Sequence, residues 1–121
     1  KFCFSYKENK EVMTQHLPKF EKALDCISDT TVILAHSGCF DFGYMIDIMK
    51  KHPNTYTDIS VQPSGNIKEL IKEIGSERVL FGRDYPFVTQ ALSILSVLRA
   101  TDDEQERINI FSKNAKTLLG I

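Results

Sequence analysis

Short apolar, β-branched runs alternate along the chain with segments whose apolar residues return at helical spacing. Parallel strands need a long crossover between them, and a helix is the usual one, so this alternation is the signature of βαβ units around a parallel sheet. The expected strands are Lys1 to Ser5, Thr31 to Ala35, Thr55 to Ser60 and Arg78 to Phe81. Two architectures accept this order. One is a small doubly wound sheet; the other is half of a (β/α)8 barrel, whose usual length of roughly 250 residues is about twice that of this 121-residue chain. Periodicity alone does not choose between them.

The helices are read from the same pattern. One begins near Thr14, with Pro18 in its first turn and Phe20, Leu24 and Ile27 on one face. Met45, Ile48, Met49 and His52 form the next stripe, ended by Pro53-Asn54, with Lys50 and Lys51 expected on a solvated face near its C-terminus. Ile67, Leu70, Ile71 and Ile74 make a third helix, which Gly75 caps. Val88, Ala91, Leu92 and Leu95 mark a fourth. Thr101-Asp102-Asp103-Glu104 reads as a capping box opening a last helix with Ile108, Phe111, Leu118 and Leu119. Thr31 to Ala35 is a continuous β-branched and apolar run, as expected of a strand covered on both faces. The whole of 1–121 reads as one domain, with no linker or low-complexity segment.

Composition narrows the function classes. Fifteen Lys and Arg against sixteen Asp and Glu give a net charge of -1, so no clustered basic excess points to nucleic acid or an anionic membrane. The longest apolar runs fall far short of the roughly 20 residues that cross a bilayer. Cys3, Cys26 and Cys39 are an odd number with no CxxC pair or disulfide framework, and no signal peptide pattern opens the chain. These readings lead to the expectation of a cytoplasmic protein with reduced thiols.

Loops after the C-terminal ends of parallel strands gather side chains from several strands, and ligands bind there in both architectures. Three strands end in suggestive groups: His36, Asp58 with Ser60, and Asp84. Imidazole nitrogen and carboxylate oxygen suit Zn²⁺ or a similar divalent ion, which makes bound water a nucleophile near neutral pH. Asp58 is balanced between a polar strand end and a site residue. His16 and His52 are expected at the solvated surface, and Cys39 as a small buried hydrophobe beside the turn.

Val32-Ile33-Leu34-Ala35-His36-Ser37-Gly38, His52 to Ser60, Arg78-Val79-Leu80-Phe81-Gly82-Arg83-Asp84-Tyr85-Pro86-Phe87 and Asn114-Ala115 with Leu118-Leu119-Gly120 occur in an order that resembles the second half of the amidohydrolase-related family. That family includes hydrolases and aromatic-acid decarboxylases. The resemblance implies strands five to eight of a (β/α)8 TIM barrel, their helices and a C-terminal helix. It implies a metal-dependent hydrolase, zinc being the expected ion, acting on a small-molecule substrate. His36 would orient or deprotonate the metal-bound water, and Asp84 would be metal ligand and proton acceptor. From their place at the mouth, Arg83 and Tyr85 are candidate substrate contacts; the alternative readings are a structural group or gate for Arg83 and loop packing for Tyr85.

Two departures stand out. Arg83 occupies a place where the family usually has Ser, which suggests an anionic substrate, and Lys1 to Tyr6 lacks the strand-five histidine ligand. They leave two alternatives open: a degenerate barrel kept as a binding module, or a decarboxylase.

Half a barrel would leave strand edges at residues 1–5 and 78–81 unpaired and the inward faces of Val32, Leu34, Val79 and Phe81 uncovered. Burying such side chains is worth roughly 1.5–3 kcal/mol each, a large part of a domain's net stability. The expectation is therefore a homo-oligomer, or pairing with a missing N-terminal half. Light scattering checks it: a stable, cooperatively unfolding monomer of 13.8 kDa at micromolar concentration would contradict it.

Overall fold

The computed structural model describes residues 17–27, 29–39 and 41–121. In chain order these form α1 (Leu17–Asp25), β1 (Val32–Leu34), a 3₁₀ turn (Ala35–Gly38), α2 (Phe42–Lys51), β2 (Thr55–Asp58) and α3 (Ser64–Ile74). A second 3₁₀ turn (Ser76–Arg78), β3 (Val79–Leu80) and α4 (Gln90–Ala100) follow. The last helix runs through α5 (Glu104–Ile108), a π turn (Asn109–Lys113) and α6 (Asn114–Leu119). The expected strand over Lys1 to Ser5, and His16, lie outside the described residues.

The three strands pair in parallel in the order β1-β2-β3, so the expected α/β class with a parallel sheet holds. Leu34 stands beside Thr57 and Thr57 beside Val79, which puts these three on one face. That face meets the helices: Val79 is fully buried with Met45, Met49, Ile67, Leu70, Val97 and Ile110, and Leu34 and Phe81 pack against the same cluster. Leu34, Val79 and Phe81 therefore belong to the helix-facing core, as does the row of Val32 beside Thr55, and not to the opposite face expected for them.

The opposite face carries Ile33, Tyr56, Asp58 and Leu80. Ile33 is 52% exposed, so β1 is covered on one side only among the described residues. A second correction concerns the edge at 78–81. The Phe81 N–H donates to the Ile110 carbonyl (3.0 Å), and the Asn114 amide donates to the Val79 carbonyl (2.7 Å). The last helix thus satisfies the outer edge of β3.

Several helix faces differ from their sequence reading. In α4 the buried residues are Ser93, Val97 and Ala100, while Ala91, Leu92 and Leu95 face outward. That helix is apolar nearly all round, so hydrophobicity does not select a face, and small side chains mark where it approaches its neighbours. In α1 only Leu24 of the expected stripe is buried; Phe20 and Ile27 are exposed. The last helix is capped two residues later than expected: the Asp103 carboxylate accepts from the Glu106 N–H at 2.9 Å. Its π turn then breaks the 3.6-residue period, so Ile110 and Asn114 point inward while Ile108 and Leu119 are exposed.

The charged end of α2 is solvated, as expected, and its lysines find acidic partners on the flanking helices. Lys51 pairs with Glu21 of α1 (2.6 Å) and Lys50 with Glu73 of α3 (2.7 Å). The bond from Lys51 holds the Glu21 carboxyl below the usual carboxylate range, helped by the Tyr44 hydroxyl. Arg78 donates to the Met49 carbonyl (2.8 Å), supplying a partner to one of the carbonyls left over at the C-terminus of α2. His52, expected at the surface, has a side chain only 12% exposed, with Nε2 3.5 Å from Asp25 Oδ1.

Asn114 is the tether that can be tested most directly. Its amide donates to the carbonyls of Ser76 and Val79, both at 2.7 Å in a buried setting. Asn114→Ala would leave two buried carbonyls without this donor, each loss costing about 1–3 kcal/mol. Denaturant unfolding should show the midpoint falling by an equivalent amount with an unchanged m-value.

Candidate functional site

The chain turns sharply after each strand, and backbone strain gathers there. Five non-glycine residues have positive φ among those described: His36 (56°), Ser37 (45°), Cys39 (52°), Val61 (64°) and Asp84 (56°). All five lie in the loops that follow β1, β2 and β3. Such conformations cost energy and persist where surrounding contacts fix them, often at functional sites. Because the strands are parallel, these loops share one end of the sheet, and His36 and Asp84 lie at that same end.

Asp58 joins the loops. Its Oδ2 accepts the His36 N–H (3.0 Å) and its Oδ1 the Ser60 N–H (2.8 Å). The Ser37 hydroxyl donates to the Asp58 carbonyl (2.6 Å), and the Thr57 hydroxyl to the Leu34 carbonyl (2.7 Å). From the far side, Gln62 Nε2 donates to the His36 carbonyl (2.7 Å), while Asn66 donates to Gln62 Oε1 (2.8 Å) and fixes its amide. Both peptide groups of His36 are thereby held by side chains of the second loop.

The third loop closes against this carboxylate. A Cβ at Gly82 would stand 2.4 Å from Ser60 Oγ and 2.7 Å from Asp58 Oδ1, so only glycine lets β3's exit lie so close. Arg83 and Asp84 follow. The Asp84 carbonyl accepts the N–H groups of Phe87 (2.8 Å) and Val88 (3.2 Å), which makes the turn, and its carboxylate has no protein hydrogen bond among the described residues. The Arg83 guanidinium lies 4.4 Å from the Tyr85 ring centroid, a cation–π contact, with no ion pair to Asp84. Tyr85 is 72% exposed and Phe87 more so.

His36 is half-buried, and its Nδ1 is buried without a hydrogen-bond partner among the described residues. An unpaired buried nitrogen of this kind calls for an explanation. Cys39 is exposed, not the small buried hydrophobe expected, and both it and Cys26 are free thiols. Of the sequence candidates, His36, Asp58 and Asp84 come to one end of the sheet, with Arg83 and Tyr85 at its rim. Sequence reasoning missed Gln62, Ser37 and Gly82. Only their positions just after strand ends could have signalled them.

The amidohydrolase family model matches residues 8–121. The chain belongs to the amidohydrolase family. In fold it is similar to a crystal structure of an amidohydrolase from Burkholderia multivorans with bound HEPES, at a TM-score of 0.73 and 14% identity over 88% of this chain and 50% of that one. A second crystal form of such an amidohydrolase, with bound zinc, gives a TM-score of 0.71 at 13% identity with the same coverage. This amidohydrolase chain thus spans about half the length of the solved structures it matches. No curated protein matches it.

The close approach at Gly82 makes a sharp prediction. Gly82→Ala would press a methyl group onto Ser60 Oγ and Asp58 Oδ1 and cost about 1–3 kcal/mol, the usual range for overpacking. Gly43→Ala, in α2 with nothing within 4 Å of its added Cβ, should instead gain roughly 0.5–1 kcal/mol from helix propensity. Thermal unfolding of the two variants should move in opposite directions.

Proposed function

We propose that this chain is the second half of a (β/α)8-barrel hydrolase acting on a small-molecule substrate, with β1, β2 and β3 as its sixth, seventh and eighth strands. The observation that carries this reading is that His36, whose buried Nδ1 has no partner among the described residues, and Asp84, whose carboxylate takes no donor among them, stand at the same end of a parallel sheet. Family membership over residues 8–121 and half-length similarity to amidohydrolase structures support it.

Imidazole nitrogen and carboxylate oxygen fit a divalent ion such as zinc, the ion bound in one of the similar crystal structures. They are part of a donor set, since catalytic zinc normally takes three protein ligands and no cluster of three His, Cys, Asp or Glu occurs among the described residues. When bound, such an ion would acidify water and polarise the substrate oxygen. Asp84 would contribute a carboxylate oxygen to it. His36, through Nδ1, would take the proton of the attacking water and return it to the leaving group.

Arg83 keeps its charge at any working pH, so its role is to bind, not to move protons. Held over the Tyr85 ring, its guanidinium would grip an anionic group of the substrate, with Tyr85 as a second contact. The uncovered face with Ile33 would meet a complementary half or a second copy of the chain. A cytoplasmic setting suits its free thiols.

Two measurements test this function. The 121-residue chain alone should hold zinc weakly; elemental analysis finding about one tightly bound zinc per monomer would contradict the partial donor set. In the full-length protein, His36→Gln and Asp84→Asn should each lower hydrolysis of 4-nitrophenyl acetate roughly 10²–10⁴-fold, the usual worth of acid–base groups. Full activity in either variant would overturn the assignment.

A further inference from the structure

The loop after β1 puts His36 and Ser37 consecutively in the left-handed region, at φ 56° and 45°. Neither residue is glycine, and two adjacent residues of this kind need outside contacts to keep them there. The contacts come from one place. Asp58 Oδ2 accepts the His36 N–H, Gln62 Nε2 donates to the His36 carbonyl, and the Ser37 hydroxyl donates to the Asp58 carbonyl. Both oxygens of Asp58 already accept backbone N–H groups, the second from Ser60. None of these bonds involves the His36 ring, whose Nδ1 has no partner among the described residues.

We infer that Asp58 and Gln62 are positioning residues: they clamp the peptide groups on either side of His36 and so aim its imidazole at the site shared with Asp84. The inference rests on the proposed role of His36 and deepens it, since it assigns Asp58 neither to a metal nor to proton transfer. Carboxylate acceptance from N–H donors is charge-assisted and about twice as strong as a neutral bond. An amide at position 58 can offer an acceptor to only one of the two N–H groups. Asp58→Asn therefore takes the charge assistance from both N–H groups and the acceptor from one, which loosens this end of the clamp with almost no change of volume, and Gln62→Met releases the other.

A purely structural role would look different, and Thr57→Val supplies the contrast. It removes the hydroxyl's bond to the Leu34 carbonyl and its longer one to Ser37 Oγ (3.3 Å), while leaving both His36 clamps in place. In the full-length protein, Asp58→Asn and Gln62→Met should each lower kcat for 4-nitrophenyl acetate at least tenfold with KM within twofold. Thr57→Val should keep kcat within twofold while lowering the unfolding midpoint. NMR of the same proteins reads the clamp without catalysis: in Asp58→Asn the His36 amide should exchange at least tenfold faster and the His36 ring should average over rotamers, and in Thr57→Val neither should change. If the parent protein does not hydrolyse the ester but the NMR response appears, the hydrolase reading fails and the clamp stands. An unchanged His36 amide and ring in Asp58→Asn, or equal loss of kcat in Thr57→Val, overturns the clamp.

Discussion

One carboxylate organises the end of this sheet. The side chain of Asp58 leaves the last residue of β2 on the face away from the helices and reaches both ways, to His36 N–H of the first loop and Ser60 N–H of its own. The third loop can approach only because Gly82 has no side chain to collide with it. Parallel pairing sets the strands side by side, but their exits diverge unless something draws them together. A short acidic side chain at the end of the middle strand does this, because its two oxygens can take one N–H from the loop beside it and one from its own.

The helical layer is fastened by different means. Its interior is an apolar cluster around Met45, Met49, Leu70, Val79 and Ile110, while its ends are tied by polar side chains that cross between elements. Lys50 and Lys51 bridge to the flanking helices, Arg78 caps α2, and Asn54 holds the carbonyls of Ile27 and Thr30 ahead of β1. The exposed lysine pairs are worth little individually at such a surface. Asn114 and Asn109, which bind buried groups of the Ser76 turn, sit where an unpaired polar atom would be costly.

The parts of this fold that were legible in the sequence are those set by local pattern. Strands at Val32, Thr55 and Val79, helices around Met45 and Ile67, and Gly75 as a cap all follow from periodicity and turn chemistry. His36 and Asp84 were legible because strand ends are where sites form. What failed depends on neighbours. Ala91, Leu92 and Leu95 looked like a core stripe, yet Ser93 and Ala100 face inward, because the contact demands small residues and not apolar ones. Leu34 and Phe81 were placed on the wrong face, since alternation does not say which side the helices cover. Lys50 and Lys51 are solvated as read, but their acidic partners, 23 and 30 residues away in sequence, were not legible. The clamp on His36 was invisible for the same reason: its donors and acceptors are 22 and 26 residues apart.

The π turn at Asn109–Lys113 has a consequence for how this chain tolerates change. A π turn holds one residue more than the α turn it replaces, and each helical residue advances the side chains by about 100°. Without that extra residue, everything beyond it would rotate by this angle, and Asn114 would no longer point at the Val79 carbonyl. The Ile110 carbonyl, which takes the Phe81 N–H, would return to ordinary helical bonding. Residue count within this one helix thus decides whether the edge of β3 is closed. Gains and losses of single residues, harmless in most surface helices, would here be felt in the sheet.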